Sequence, residues 1–303
     1  MMHSDQIDIP LATARQMIAE QFPQFAGETV VPVGTMGTVN AIFRIGTSAS
    51  ARFPLRQADA DECLRHLEGE AAAMSAFAGC CPVATPQPIG LGQPGPLYAL
   101  PWSVQTWIAG DVADPEGLAV SEAFATDLAD LIATLRDVDP AGGSFDGKGR
   151  GGRLLDHAAW VEHCLKQSEG LLDLGRLRPL WERLSALPPA DRADVMSHRD
   201  LIPPNLVVRD GRLAGVLDAG SFGPADPSLD LVAAWTLLDR ERRQLLRARL
   251  GSSDLEWHRG AAWAFIQAIG LVWYYETSNP VMSRLGRKML DRLLEDARPG
   301  GEL

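Results

Sequence analysis

The chain has 303 residues, 46% of them hydrophobic, and carries a formal charge of −11. That length builds one large or two medium domains with a buried core. The acidic balance argues against nucleic acid or an anionic membrane as partner, since both reward clusters of Lys and Arg, and it suits a cationic small molecule. Four cysteines, Cys63, Cys80, Cys81 and Cys164, lack C-x-x-C spacing, so neither a zinc site nor a redox motif is indicated. No basic region leads into an apolar stretch at the start, and the most apolar window, 261–275, is broken by Gln267 and too short for a bilayer. A cytoplasmic protein, monomeric or homodimeric, is the expectation.

In chain order, 11–21 reads as a helix, with Leu11, Ala14, Met17 and Ile18 at helical spacing and Pro23 just beyond. Short β-rich runs at 29–33, 39–45 and 50–54 follow, the first two flanking the turn Gly34-Thr35-Met36-Gly37. Residues 59–77 form an alanine-rich helix, 82–88 a loop, and 97–107 returns to strand character. After Gly110 the pattern turns helical. Helices are expected at 121–138, 154–172, 177–187, 228–250, 255–275 and 283–296, with an exposed Gly-rich loop at 141–152. Asp210-Gly211 between two apolar runs signals a β-hairpin. The expected fold is therefore α+β and two-lobed, a small β-rich lobe at 1–107 and a larger, mainly helical lobe at 108–303. A ligand cleft is expected where they meet.

The chemistry concentrates at His198-Arg199-Asp200-Leu201-Ile202-Pro203-Pro204-Asn205 and, past the hairpin, at Leu217-Asp218. The first run fits the kinase catalytic-loop pattern H-R-D-L-x-x-x-N at every specified position. Phosphoryl transfer needs a carboxylate to accept a hydroxyl proton, assigned to Asp200, and hard oxygens to hold Mg²⁺, assigned to Asn205 and Asp218. A cation is also needed on the nucleotide phosphates, yet no lysine precedes Lys148. Arg52 on the third strand is the substitute, with Glu70 on the following helix as its partner; Glu68 and Arg44 are the alternatives. Gly34 and Gly37 would cover the phosphates with backbone N–H groups, and Trp107, at the junction, would line the nucleotide. Asp226 and Asp230 sit at a helix start, where carboxylates are favoured, and Asp230 could also bond the catalytic loop. Ala219-Gly220 after Asp218 replaces Phe-Gly, and no Ala-Pro-Glu occurs, which favours a small-molecule kinase over a protein kinase.

These residues resemble the aminoglycoside phosphotransferase family, which shares the protein-kinase-like fold with choline and macrolide kinases. The matching pieces are His198-Arg199-Asp200 with Asn205, Leu217-Asp218 ahead of Asp226-Pro227 and Asp230-Leu231, and, more weakly, 40–45 leading to Arg52-Phe53-Pro54. The resemblance implies ATP or GTP with Mg²⁺ in the cleft and a small-molecule hydroxyl acceptor held by the C-terminal helices. An aminoglycoside is the leading acceptor, and a macrolide or an amino alcohol such as choline the alternative. Family members more often carry Gly where this chain has Arg199. A nucleotide-binding pseudokinase is the reading from another class, motivated by the missing lysine. Asp254, Glu256 and Glu276 are the carboxylates that would attract an aminosugar's ammonium groups, beside Trp257, Trp263, Trp273, Tyr274 and Tyr275.

Overall fold

The computed structural model describes residues 7–34, 39–298 and 303. The chain forms two compact units. One contains Met1–Gly79, Ala84–Gly110 and Gly215–Ser221, the other Cys80–Val83, Asp111–Ala214 and Phe222–Leu303. A single boundary at 107/108 therefore misses a return of the chain: 215–221, with Asp218, clusters with the first unit. The cause is local. Gly215 bridges Ala84 in parallel, and Val216 N–H donates to the Ala84 carbonyl at 2.9 Å. A boundary read from composition cannot see such a return.

The first unit has helix α1 (Leu11–Gln21), strands β1 (Val30–Pro32), β2 (Asn40–Ile45) and β3 (Ala49–Pro54), helix α2 (Ala60–Ala78), and strands β4 (Pro88–Gly92) and β5 (Trp102–Thr106). The strands make one antiparallel sheet in the order β1-β2-β3-β5-β4. Strand alternation buries Ala49, Ala51 and Phe53 and turns Arg52 to the other face. Phe53 stacks on Trp102 at 4.5 Å, with Tyr98, Phe43 and Phe22 packed edge-on around the pair. Strand β4 is absent from the sequence reading because it contains Pro88 and two glycines. Its Gly92 is required: a Cβ there would lie 2.0 Å from the Trp102 ring. Asp59 caps α2 by accepting from Glu62 N–H at 3.0 Å, and Cys63, Leu67, Met74 and Phe77 form its buried stripe.

The second unit contains β6 (Asp111–Val112), α3 (Pro115–Leu118), α4 (Glu122–Arg136), α5 (Ala158–Gln167), α6 (Leu174–Ser185), β7 (Val195–Ser197), β8 (Leu206–Arg209), most of β9 (Arg212–Val216), β10 (Gly223–Ala225), α7 (Val232–Leu237), α8 (Arg240–Leu250), α9 (Asp254–Tyr274) and α10 (Pro280–Asp296). Both turn residues of the β8–β9 hairpin have positive φ, Asp210 at 53° and Gly211 at 73°, as a type I′ turn demands. The helix expected over 228–250 is broken. Leu238 is extended, and Asp239 starts a new helix by accepting from Arg242 N–H at 3.0 Å, so a local cap overrides the apolar periodicity. The helix expected at 154–172 likewise begins as a 3₁₀ turn and ends at Gln167. Helix α9 is buried along nearly its whole length. No helix among the described residues is long and apolar enough to cross a membrane.

Candidate active site

In the second unit, β7 delivers Ser197 and the chain then turns through His198-Arg199-Asp200. The turn is held from below. Asp230, buried in the middle of the 3₁₀ turn Leu229–Leu231, accepts His198 N–H at 2.9 Å with one oxygen and Arg199 N–H at 3.0 Å with the other. His198 is fully buried, and its Nδ1 accepts Asp200 N–H at 3.3 Å. Arg199 has φ 70°, the left-handed region that costs a residue with a side chain about 1–2 kcal/mol. That conformation explains why glycine suits the position. Here the arginine side chain compensates: Nη2 donates to the Pro224 carbonyl at 2.6 Å, Nη1 pairs with Asp146 at 3.2 Å, and the guanidinium lies over the Phe145 ring.

The turn leaves the Asp200 carboxylate 28% exposed and held by three donors. Oδ1 accepts from Arg150 Nη2 at 2.6 Å and from Gln267 Nε2 of α9 at 3.1 Å, and Oδ2 accepts from Asn205 Nδ2 at 3.1 Å. Asn205 Nδ2 also donates to the Asp200 carbonyl at 2.9 Å, so the amide's nitrogen end is turned to Asp200 and its oxygen away. Asp226 pairs with Arg259 and accepts Ser228 N–H and Oγ–H, which makes it a structural anchor.

Two of these contacts were not anticipated. Gln267 had a signal, since it is the polar residue that interrupts the most apolar window. Arg150 had none beyond the glycines around it. The 141–152 segment lacks regular structure, as expected, but it is anchored: Phe145 N–H donates to Asp194 at 2.8 Å, and the Gly151 carbonyl accepts Asp226 N–H at 2.7 Å.

In the first unit, Asp218 follows β9 with φ 60° and is 47% exposed. Its Oδ1 accepts Arg52 Nη2 at 2.8 Å. Burial alone would lower the Arg52 pKa, but the charges of Asp218 and Glu70 outweigh it and raise it above the ordinary guanidinium value. The direct partner of Arg52 is therefore Asp218, a correction to the expected Arg52–Glu70 pair. Glu70 acts on Arg52 through its field and takes His66 Nε2 at 3.2 Å, while its stem packs against Gly220. Arg52 and Glu70 line one depression with Ser103 and Gln105. Arg44, the other candidate cation, sits over the Trp107 ring at 5.9 Å, and Trp107 N–H donates to the Ser48 carbonyl at 2.8 Å. Gly34 is exposed with open space where a Cβ would be, so packing does not demand glycine there. Gly37 lies outside the described residues.

Comparison with known proteins identifies the family and the fold. The model of the phosphotransferase enzyme family matches residues 32–266. Among solved structures, the GDP and kanamycin complex of APH(2")-IIia is similar with a TM-score of 0.72 and 18% identity, covering 94% of this chain and 99% of that one. Macrolide 2'-phosphotransferase MphH from Brachybacterium faecium, an apoenzyme, gives 0.60 and 17% over 93% and 97%. The streptomycin-ATP-APH(2")-IIa ternary complex gives 0.59 and 16% over 87% and 91%. The fold is thus the mixed, kinase-like one that the sequence predicts, a small antiparallel sheet unit and a mainly helical one. With its family model matched over most of its length, this chain belongs to the phosphotransferase enzyme family.

Proposed function

We propose that this chain moves the γ-phosphate of ATP or GTP, with Mg²⁺, to a hydroxyl of a small molecule. The observation that carries the reading is Asp200, a carboxylate fixed by three donors yet open enough to meet an acceptor. It takes the hydroxyl proton as the new O–P bond forms and the bond to the nucleoside diphosphate breaks. Asn205 and Asp218 are the proposed Mg²⁺ donors. Amide and carboxylate oxygens are the hard ligands that ion prefers, and it keeps waters and phosphate oxygens rather than an all-protein cage. When bound, the ion neutralises charge on the phosphates. Arg52, supported by Glu70, takes the phosphate-binding role that lysine fills elsewhere; Gly34, Gly37 and Trp107 complete the proposed nucleotide contacts.

An aminoglycoside acceptor is the reading that the resemblance and the kanamycin and streptomycin complexes favour, and the macrolide enzyme keeps that alternative in view. The carboxylates invoked for an aminosugar are, however, already paired: Asp254 with Arg247, Glu256 with Arg136, and Glu276 with Arg287 and Ser283. The test is incubation with Mg-ATP or Mg-GTP and a panel of hydroxyl acceptors, read by mass for an added phosphate. Asp200→Ala should cut turnover by about 10²–10⁴-fold with nucleotide affinity retained. Unchanged turnover in that variant removes the assigned base, and nucleotide binding without product favours the pseudokinase.

A further inference from the structure

The surroundings of Asp200 point to a class of acceptor. Three donors converge on its carboxylate, Arg150 Nη2, Gln267 Nε2 and Asn205 Nδ2, and one of them carries a full positive charge. Arg150 has donors to spare. It uses Nη2 on Asp200 and, at 3.5 Å, on the Arg199 carbonyl, while Nη1 makes no bond among the described residues; Nε is buried and out of a ligand's reach. A guanidinium offers five N–H groups in a rigid fork, suited to a second carboxylate.

The loop is shaped to present this side chain. Gly149 and Gly151 adopt φ 68° and 131°, and a Cβ at 151 would come 2.8 Å from the Ala225 Cβ. His157, in contact with the Trp263 ring at 5.2 Å, is held below its usual pKa by burial and by the charge of Arg150. Carboxylates that could draw in an ammonium group are engaged: Asp146 by Arg199, Asp226 by Arg259, and Asp230 by two backbone N–H groups. Asp156, beside His157, is exposed, where solvent and salt screen it.

We infer that the acceptor carries a carboxylate beside the hydroxyl to be phosphorylated, and that Arg150 is the residue that selects it. The inference rests on the phosphotransfer reading above, with Asp200 as base. A polycation would instead meet the outward edge of a guanidinium whose other edge is paired with Asp200. The spare hydrogen-bonding group beside Asp200 is the Nη1 donor of Arg150, which a carboxylate matches and an ammonium does not.

The experiment compares size-matched pairs of hydroxyl compounds, sugar acids against aminosugars and hydroxy acids against amino alcohols, with kanamycin added. Binding to the full chain is followed by ligand-observed NMR with Mg²⁺ and a non-hydrolysable ATP analogue, and phosphorylation by mass with Mg-ATP or Mg-GTP. Acids should be preferred by about tenfold or more. Arg150→Gln should erase the preference and Arg150→Glu should reverse it, a gain that a misfolded protein could not show. Equal or better use of the amine-bearing partner, or a preference that survives Arg150→Gln, overturns the inference. Mg²⁺-dependent binding of ATP and GTP without any acceptor tests the kinase reading separately. Its absence, with the charge preference intact, would sink that reading and leave Arg150 as an anion-selecting residue.

Discussion

Two carboxylates, Asp218 and Asp200, each meet an arginine, and the two pairs are built differently. Arg52 is held by strand register, paired with Ile42 on one side and Ser103 on the other, and its side chain is only 13% exposed. Arg150 is held by a glycine-framed loop without regular structure, and its side chain is 30% exposed. Asp218 Oδ1 accepts from Arg52, and the Asp200 carboxylate accepts from Arg150, Gln267 and Asn205. A sheet fixes a cation for a ligand of constant shape, as the phosphates of a nucleotide are. A loop fixes one where the ligand differs between relatives. On the proposed function and the inference drawn above, the rigid pair serves the shared chemistry and the loop pair serves specificity.

The largest expected effect separates the carboxylates themselves. If they do different work, Asp200→Asn lowers kcat by about 10²–10⁴-fold without changing the Mg²⁺ requirement. Asp218→Asn, or Arg52→Met beside it, weakens Mg-nucleotide affinity by about 10–100-fold. Steady-state kinetics over a Mg²⁺ titration distinguishes the outcomes, and equal effects on both parameters would erase the contrast. Next comes the support beneath Asp200. Asp230→Ala removes two charge-assisted bonds from buried backbone and should cost about 3 kcal/mol or more in denaturant unfolding. A smaller loss is expected for Arg199→Ala, about 1–2 kcal/mol, because the left-handed backbone stays while its side-chain anchors go. Arg199→Gly should recover part of that loss by relieving the backbone.

The smallest effect is one of pH. His157 has a folded pKa below its unfolded value of 6.5, so the unfolded chain binds the proton more readily. Stability from this group is complete above that value and is lost as pH falls through 6.5 toward the folded pKa. Because His157 is only partly buried, the slope is shallow, and His157→Gln should flatten it in thermal melts between pH 5 and 7 (roughly the histidine range).

The sequence by itself determined much of the local structure and the cast of reactive groups. Alternation around Phe53, the Asp210-Gly211 turn, the stripe of α2 and the His198-Arg199-Asp200 run are all written within a few residues of one another, where period and turn chemistry act. Broken helices and glycine-bearing β4 escaped that reading, because a cap at Asp239 and a Trp102 ring over Gly92 are decided by single contacts rather than by periodicity. Tertiary structure alone decided the partners. It brought Arg52 to Asp218 rather than to Glu70, and it carried Arg150 and Gln267 to Asp200 across separations of 50 and 67 residues. Ion pairs form between whichever charges the packed backbone brings within a few ångströms, and that distance is set by the whole chain rather than by the residues that meet.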